Sequence, residues 1–252
     1  MISLQLGDCI TLAEKIDKEI NCTVTSPPYN KCGAGGGIFR KIEYDTFDDT
    51  LPEEDYQNQQ IKLLDTIYDK TAEAGSLFYN HKIRYFEGSS IAPWQWLTKT
   101  KWNIREEIIW HRGMGTEISG YRFTQTEERI YWLVKGKKHP RLRRECANWS
   151  SVWKFAADMK NDHPAPYPLE LPMRCIQAVM TEPGVILDPY NGSGTTGVAA
   201  TMLGHDYIGF DLSEKYLASA EERIKNPSTR DLRNYERCVI MDNVKSPLDC
   251  LF

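Results

Sequence analysis

One run of residues restricts the possible folds more than any other: Val185-Ile186-Leu187-Asp188-Pro189-Tyr190-Asn191-Gly192-Ser193-Gly194-Thr195-Thr196-Gly197. It reads as an apolar strand entering a glycine turn and leaving it as a helix. Glycines there let the backbone approach a ligand at the carboxyl end of a strand, where open α/β sheets bind. Residues 207–210 form the next strand, ending in Gly209-Phe210-Asp211, whose carboxylate is placed to accept from ribose hydroxyls.

The same alternation continues elsewhere. Expected strands lie at 2–6, 22–25, 77–80, 107–111 and 129–134, and expected helices at 10–16, about 91–98 with Trp94 and Trp96, 169–180, from Thr195 and from Glu214. A helix opening at Pro52 carries apolar Ile61, Leu64, Ile67 and Tyr68, and Gly75 is read as its end. Residues 33–37 are read as a glycine-rich loop able to order over a ligand. This alternation predicts a doubly wound α/β fold with a mainly parallel sheet.

With 252 residues, 41% hydrophobic and 26% charged, and no low-complexity linker, the chain is expected to form a single domain. Seven cysteines without a C-x-x-C pair read as reduced thiols, and no apolar run reaches the length of a membrane span. A cytoplasmic protein is the expectation. The net charge of -4 hides a local concentration of Lys135, Lys137, Lys138, Arg141, Arg143 and Arg144. Such a run is either a solvated loop or a nucleic-acid contact.

The glycine pattern taken alone would also suit a nicotinamide dinucleotide. Asp188 argues otherwise: a carboxylate at that strand end repels a pyrophosphate but suits the cationic sulfonium and ammonium of S-adenosylmethionine. Residues 25–30, Thr25-Ser26-Pro27-Pro28-Tyr29-Asn30, supply complementary chemistry. Proline lacks an N–H, so a Ser-Pro-Pro turn can present hydroxyl and carbonyl acceptors to an amine without intruding donors. Tyr29 offers a ring on which a flipped base can stack.

Thr25-Ser26-Pro27-Pro28-Tyr29-Asn30, followed far downstream by the glycine motif, resembles the β group of DNA amino-methyltransferases. Gly7-Asp8-Cys9 and His163-Pro164-Ala165-Pro166-Tyr167-Pro168 match two further motifs of that group. The resemblance implies a seven-stranded Rossmann-like methyltransferase sheet with a target-recognition insertion at about 137–161, inside the wider region 112–162; residues 135–162, where periodicity is lost, read as the least core-like stretch. It assigns catalysis to Ser26, Pro27, Pro28 and Tyr29. Cofactor binding falls to Asp8, Cys9, Thr25, His163, Pro164, Asp188, Pro189, Tyr190, Asn191, Gly192, Ser193, Gly194, Thr195, Thr196, Asp211 and Leu212.

Lys137, Lys138, Arg141, Arg143 and Arg144 would then contact DNA, with the loop at 112–122 a second candidate. Trp149 and Trp153 could stack on bases or lie in the core. Ser26 in place of aspartate leans towards the N4 amine of cytosine, with N6 of adenine the alternative. No cysteine follows a proline, which argues against carbon-5 cytosine methylation. The implied partner is double-stranded DNA, with a homodimer and a companion restriction endonuclease as further partners of the type. An RNA or protein methyltransferase, a nicotinamide oxidoreductase and a binding module without catalysis are the competing readings.

Overall fold

The computed structural model describes residues 1–30, 50–113, 115, 120–138, 140–157 and 167–239. The expected glycine-rich loop at 33–37 and the His163-Pro164 motif lie outside the described residues.

Ten strands and seven α-helices are described. In chain order they are β1 (Ile2–Leu6), α1 (Cys9–Glu14), β2 (Ile20–Thr25), α2 (Glu53–Lys70), β3 (Thr71–His81), β4 (Arg84–Phe86), β5 (Ser89–Ile91), α3 (Trp94–Leu97), β6 (Asn103–His111), β7 (Glu127–Val134), β8 (Val152–Lys154), α4 (Glu170–Val179), β9 (Val185–Asp188), α5 (Thr195–Met202), β10 (Asp206–Asp211), α6 (Glu214–Lys225) and α7 (Thr229–Cys238). Eight of the strands form one sheet in the order β1-β10-β9-β2-β3-β7-β6-β8, while β4 and β5 form a separate hairpin. Within the large sheet only β7 runs against the others. The sheet therefore has eight strands and not the expected seven, because Val152–Lys154 adds a short parallel edge beside β6.

Strand residues alternate between two apolar layers, as the period of two requires. Phe78, Trp132 and Ile186 face α4 and α5, packing among Met173, Ile176 and Val198. Their neighbours Leu77, Tyr79, Leu133 and Leu187 face α1, α2 and α3. Local chemistry sets the helix starts. Asp8 caps α1 by accepting from the Thr11 amide at 2.9 Å, and α2 begins after Pro52 with Glu53, Glu54 and Asp55 at its positive dipole end.

Several boundaries differ from expectation. Helix α2 stops at Lys70, and Gly75 sits inside β3, following Ala74 at a φ of 64°. There the pairing of β2 with β3 shifts register, and a Cβ on Gly75 would lie 2.4 Å from Thr71 Cγ2. That glycine permits a bulge rather than ending a helix. The helix expected at 91–98 is only four residues long. The stretch expected to recognise the target contains a 3-10 turn at Arg144–Cys146 and β8, and Trp153 is a core residue at 5% exposure.

β2 and β9 are neighbours, yet the chain leaves β2 through α2 on one face and leaves β9 through α5 on the other. Their carboxyl ends thus border the crevice at the topological switch point of the sheet. Among the described residues no helix is long and apolar enough to cross a membrane.

Candidate active site

The switch point brings the two sequence motifs into direct contact. Thr25, the last residue of β2, donates its hydroxyl to Asp188 Oδ1 at 2.8 Å, across 163 residues of chain. Asp188 ends β9 and is completely buried. It also accepts from the Tyr190 amide at 3.1 Å, the Tyr167 hydroxyl at 2.9 Å and the Thr196 hydroxyl at 2.8 Å. Burial pushes this carboxyl above its ordinary value, while the hydrogen bonds from Thr25, Thr196, Tyr190 and Tyr167 pull the other way. Asp188 is therefore a knot joining β2, β9, α5 and the segment around Tyr167.

The glycine turn follows at once. Gly192 and Gly194 adopt φ of 49° and 74°, which favour residues without a Cβ. The Gly192 amide donates to Asp211 Oδ2 at 2.8 Å, and the Ser213 amide to Asp211 Oδ1 at 2.9 Å. Gly197 serves packing: a Cβ there would lie 2.4 Å from Ile224 and 2.6 Å from Tyr207. Asn191 is buried and accepts from the Tyr207 hydroxyl at 2.7 Å, Pro189 is buried beside it, and Leu212 is exposed.

Asp8 and Cys9 leave β1 next to this turn, since β1 pairs with β10 and the Gly7 amide donates to the Asp211 carbonyl at 2.9 Å. Burial raises the Cys9 thiol to about 11, opposed by its hydrogen bond with Tyr190. Four adjacent carboxyl ends, of β1, β10, β9 and β2, thus carry the described residues expected to hold a cofactor. Arg223, the cation reaching Ser193 and Thr195, is ion-paired with Asp231 at 2.8 Å.

Beyond β2 the chain turns through half-buried Ser26, buried Pro27 and half-buried Pro28. The Tyr29 hydroxyl lies 3.0 Å from Ser26 Oγ, 2.9 Å from Glu128 Oε2 and 3.2 Å from Asn80 Oδ1. A phenol has one hydrogen. Donated to the carboxylate, it leaves the Tyr29 oxygen to accept from Ser26. Glu128 is itself ion-paired with Arg112 at 2.9 Å and only 7% exposed. Burial first, then the charge of Glu128, holds Tyr29 well above the ordinary phenol range.

A second buried network supports the loop from below. Tyr56 of α2 places its hydroxyl 2.8 Å from the Pro28 carbonyl and 2.8 Å from His81 Nε2, while His81 Nδ1 lies 2.7 Å from the Lys82 carbonyl. That carbonyl requires the ring hydrogen on Nδ1. The Tyr29 and His81 rings pack at a centroid distance of 4.6 Å. Asn30, at a φ of 48°, receives Arg84 on its carbonyl at 3.0 Å, and Arg84 grips Glu53 at 2.6 and 2.7 Å.

Glu128, Asn80, Tyr56, His81 and Arg84 do not stand out in the sequence as site residues, and Tyr167 appears there only as a member of the 163–168 motif. Strand alternation supplies the one usable signal: of Glu127 and Glu128 at the head of an apolar strand, one must point inward. The structure does not bring the basic run to this end of the sheet. Val134 is level with Ser76 and Cys22 at the amino end, and Lys135 continues to the Gly75 carbonyl. At about 3.3 Å per residue, the chain has run roughly 15 Å from the level of Ser26 before Lys137 is reached. Lys138, Arg141, Arg143 and Arg144 follow, and the Arg143 amide is bound to Ala178, at the end of α4 that leads into β9. Among the described residues no cluster could hold a metal ion.

Comparison with known proteins agrees with this geometry. A family model described as DNA methylase, covering the N6 and N4 enzymes, matches residues 20–222. Type II methyltransferase M.SmaI of Serratia marcescens is 27% identical over 275 residues, covering 87% of this chain and 89% of that one. M.ScaI of Streptomyces caespitosus is 25% identical over 262 residues, covering 89% and 81%. Among solved structures, the PvuII DNA methyltransferase, titled cytosine-N4-specific, superposes with a TM-score of 0.72 at 19% identity over 94% of this chain and 92% of that one. A DNA modification methylase of Thermus thermophilus complexed with S-adenosyl-L-methionine gives 0.66 at 21% identity, over 92% and 94%. The chain belongs to the N6/N4 DNA methylase family.

Proposed function

We propose that this chain is an S-adenosylmethionine-dependent methyltransferase acting on the exocyclic amine of a base flipped out of double-stranded DNA, with N4 of cytosine favoured and N6 of adenine the alternative. The observation that carries this reading is the Thr25–Asp188 hydrogen bond, which makes the end of the glycine strand and the start of the Ser-Pro-Pro-Tyr turn immediate neighbours. A donor held at one motif is then within reach of an acceptor held at the other.

The residues fit such a cofactor. Asp8, Asp188 and Asp211 gather at adjacent strand ends, and the neighbouring Arg223 is neutralised by Asp231. That donor set favours a cationic, phosphate-free nucleoside over a dinucleotide. Asp211 would receive the ribose hydroxyls, Asp8 and Cys9 would border the adenine, and Asp188 would fix the turn and the negative potential beneath the methionine part. The cofactor supplies an electrophilic methyl group on its sulfonium.

The chain's own task is to hold the amine. Its lone pair is delocalised into the base, so Ser26 Oγ and the Pro27 carbonyl would accept its hydrogens and favour a tetrahedral nitrogen. Tyr29, anchored through its hydroxyl, would present its ring to the base plane. The turn would hold the nitrogen in line with the methyl group that the cofactor supplies, and that alignment would account for most of the acceleration. The Ser26 side chain supports the N4-cytosine preference. A homodimer and a companion restriction endonuclease are the further partners on this reading.

Labelled S-adenosylmethionine and mixed-sequence DNA, followed by digestion and mass identification of the nucleosides, test the proposal. N4-methylcytosine is expected, and Ser26→Ala should lower kcat by about 100-fold. N6-methyladenine would select the alternative base. Finding only 5-methylcytosine, or no transfer, would overturn the reading.

A further inference from the structure

Five aromatic side chains are exposed among the described residues, and four lie in two connections on the same side of the molecule: Tyr85 and Phe86 at 39% and 46%, Tyr121 and Phe123 at 101% and 99%. Tyr85 and Phe86 belong to the β4–β5 hairpin, which leaves the sheet just after His81 at the end of β3. Tyr121 and Phe123 lie between β6 and β7, whose pairing of His111 with Glu127 marks the same end. Both connections are therefore at the carboxyl end of the sheet, with Ser26 and Tyr29.

Contacts join them to each other and to the catalytic turn. The Arg122 guanidinium sits 4.4 Å over the Tyr85 ring, and Gln125 donates to the Ile83 carbonyl at 3.3 Å. Arg84 of the hairpin holds the Asn30 carbonyl at 3.0 Å. From the other connection Arg112 holds Glu128, which holds Tyr29. Exposed aromatic clusters mark binding surfaces, and rings interleaved with guanidinium groups suit stacked bases and phosphates.

We infer that this rim, rather than the basic run at 135–144, seats the duplex next to the flipped base, with Tyr121 and Phe123 stacking on bases beside the gap. This rests on the DNA methyltransferase reading above. Double-stranded DNA is the occupant because the rim is continuous with the turn that would receive the base, whereas the basic run lies at the opposite end of the strands. The rim reads no sequence by stacking alone; it supplies affinity and holds the duplex in place.

Two variants separate this surface from the basic run: Tyr121→Ala with Phe123→Ala, and Lys137→Glu with Lys138→Glu. All four side chains are exposed, so both variants should fold. Methyl transfer into unmethylated mixed-sequence DNA gives KM for DNA and for S-adenosylmethionine. The aromatic pair should raise KM for DNA at least about tenfold and leave KM for the cofactor unchanged, while the lysine pair should move KM for DNA less than about twofold. An unchanged KM for DNA in the aromatic variant, while the wild type methylates DNA, overturns this inference alone. So does loss of a dimer by light scattering without a change in KM for DNA, which would make the rim a contact between two copies. Absence of transfer by the wild type overturns both readings.

Discussion

Asp188 shows how far a single residue can be understood from its neighbours in sequence. A carboxylate before a glycine turn is legible as acidic chemistry at a strand end, but its partners are not, because Thr25 reaches it from 163 residues away through strand register. Replacing Asp188 with alanine would leave the Thr25 hydroxyl buried without its acceptor, while Thr196 keeps the Val24 carbonyl at 3.3 Å and Tyr167 keeps Thr196. At about 1–3 kcal/mol for such a group, a loss of at least about 1 kcal/mol is expected in denaturant unfolding, with Asp188→Asn costing less. Equal costs for the two variants would refute that account.

Glu128 is illegible for a different reason: Glu127 beside it is chemically identical, and only the facing of β7 distinguishes them. Glu128→Gln keeps the shape but removes the charge that draws the Tyr29 hydrogen. A fall in kcat of about tenfold with little change in KM for DNA is expected, and Glu127→Gln should leave kcat near wild type. Steady-state methyl transfer with each variant decides between them.

At the scale of elements, the strand-turn-helix at 185–197 is legible nearly intact, because a buried strand, three glycines and a helix each leave their own local signature. The glycines in and just after it are not equivalent. Gly194 combines a φ of 74° with a space closed by Ala220 at 2.8 Å, whereas Gly204, in the turn after α5, has a φ of 82° and open space beside it. Gly194→Ala should therefore cost more than Gly204→Asn, a residue that tolerates this conformation, by about 1–2 kcal/mol in thermal or denaturant unfolding. Similar losses would mean that the packing against α6 is not the deciding contact.

Other elements escape because their determinants are not local. Gly75 reads as a helix stop until the bulge between β2 and β3 is known. Helix α7 is polar enough that among its residues only Asp231 is buried, so no apolar stripe announces it; its one cue is the capping box of Ser228 and Asp231.

For the molecule as a whole, the sequence predicts the α/β class and the parallel bias, but strand order depends on contacts between distant parts of the chain and is not readable. The basic run illustrates the cost: its charge is plain, while the end of the sheet it occupies follows only from the antiparallel direction of β7. Global stability should also depend on pH through His81. Burial, then the charge of Arg84, lowers this completely buried imidazole from 6.5 to about 3. The unfolded chain binds the proton more readily, so its contribution is complete above about pH 7 and is lost as pH falls from 6.5 towards 3. That slope is up to about 1.4 kcal/mol per unit. Asp188, raised by burial, acts in the opposite sense, so the test compares proteins rather than absolute slopes. Unfolding midpoints at about pH 7 and about pH 5 should converge in His81→Phe relative to wild type, and parallel slopes would reject the assignment.

The pairing of β2 with β9, Cys22 opposite Ile186 and Thr23 opposite Leu187, also has a mechanical meaning. Two strands laced by backbone hydrogen bonds cannot slide or part without unfolding, so no hinge runs between the two halves of the site. The gap between donor and acceptor is a built-in dimension of the sheet, like the throat of a rigid gauge. Any opening that admits or releases a ligand must then come from the connections above the strands, and substitutions that tune it should accumulate there rather than in the strands themselves.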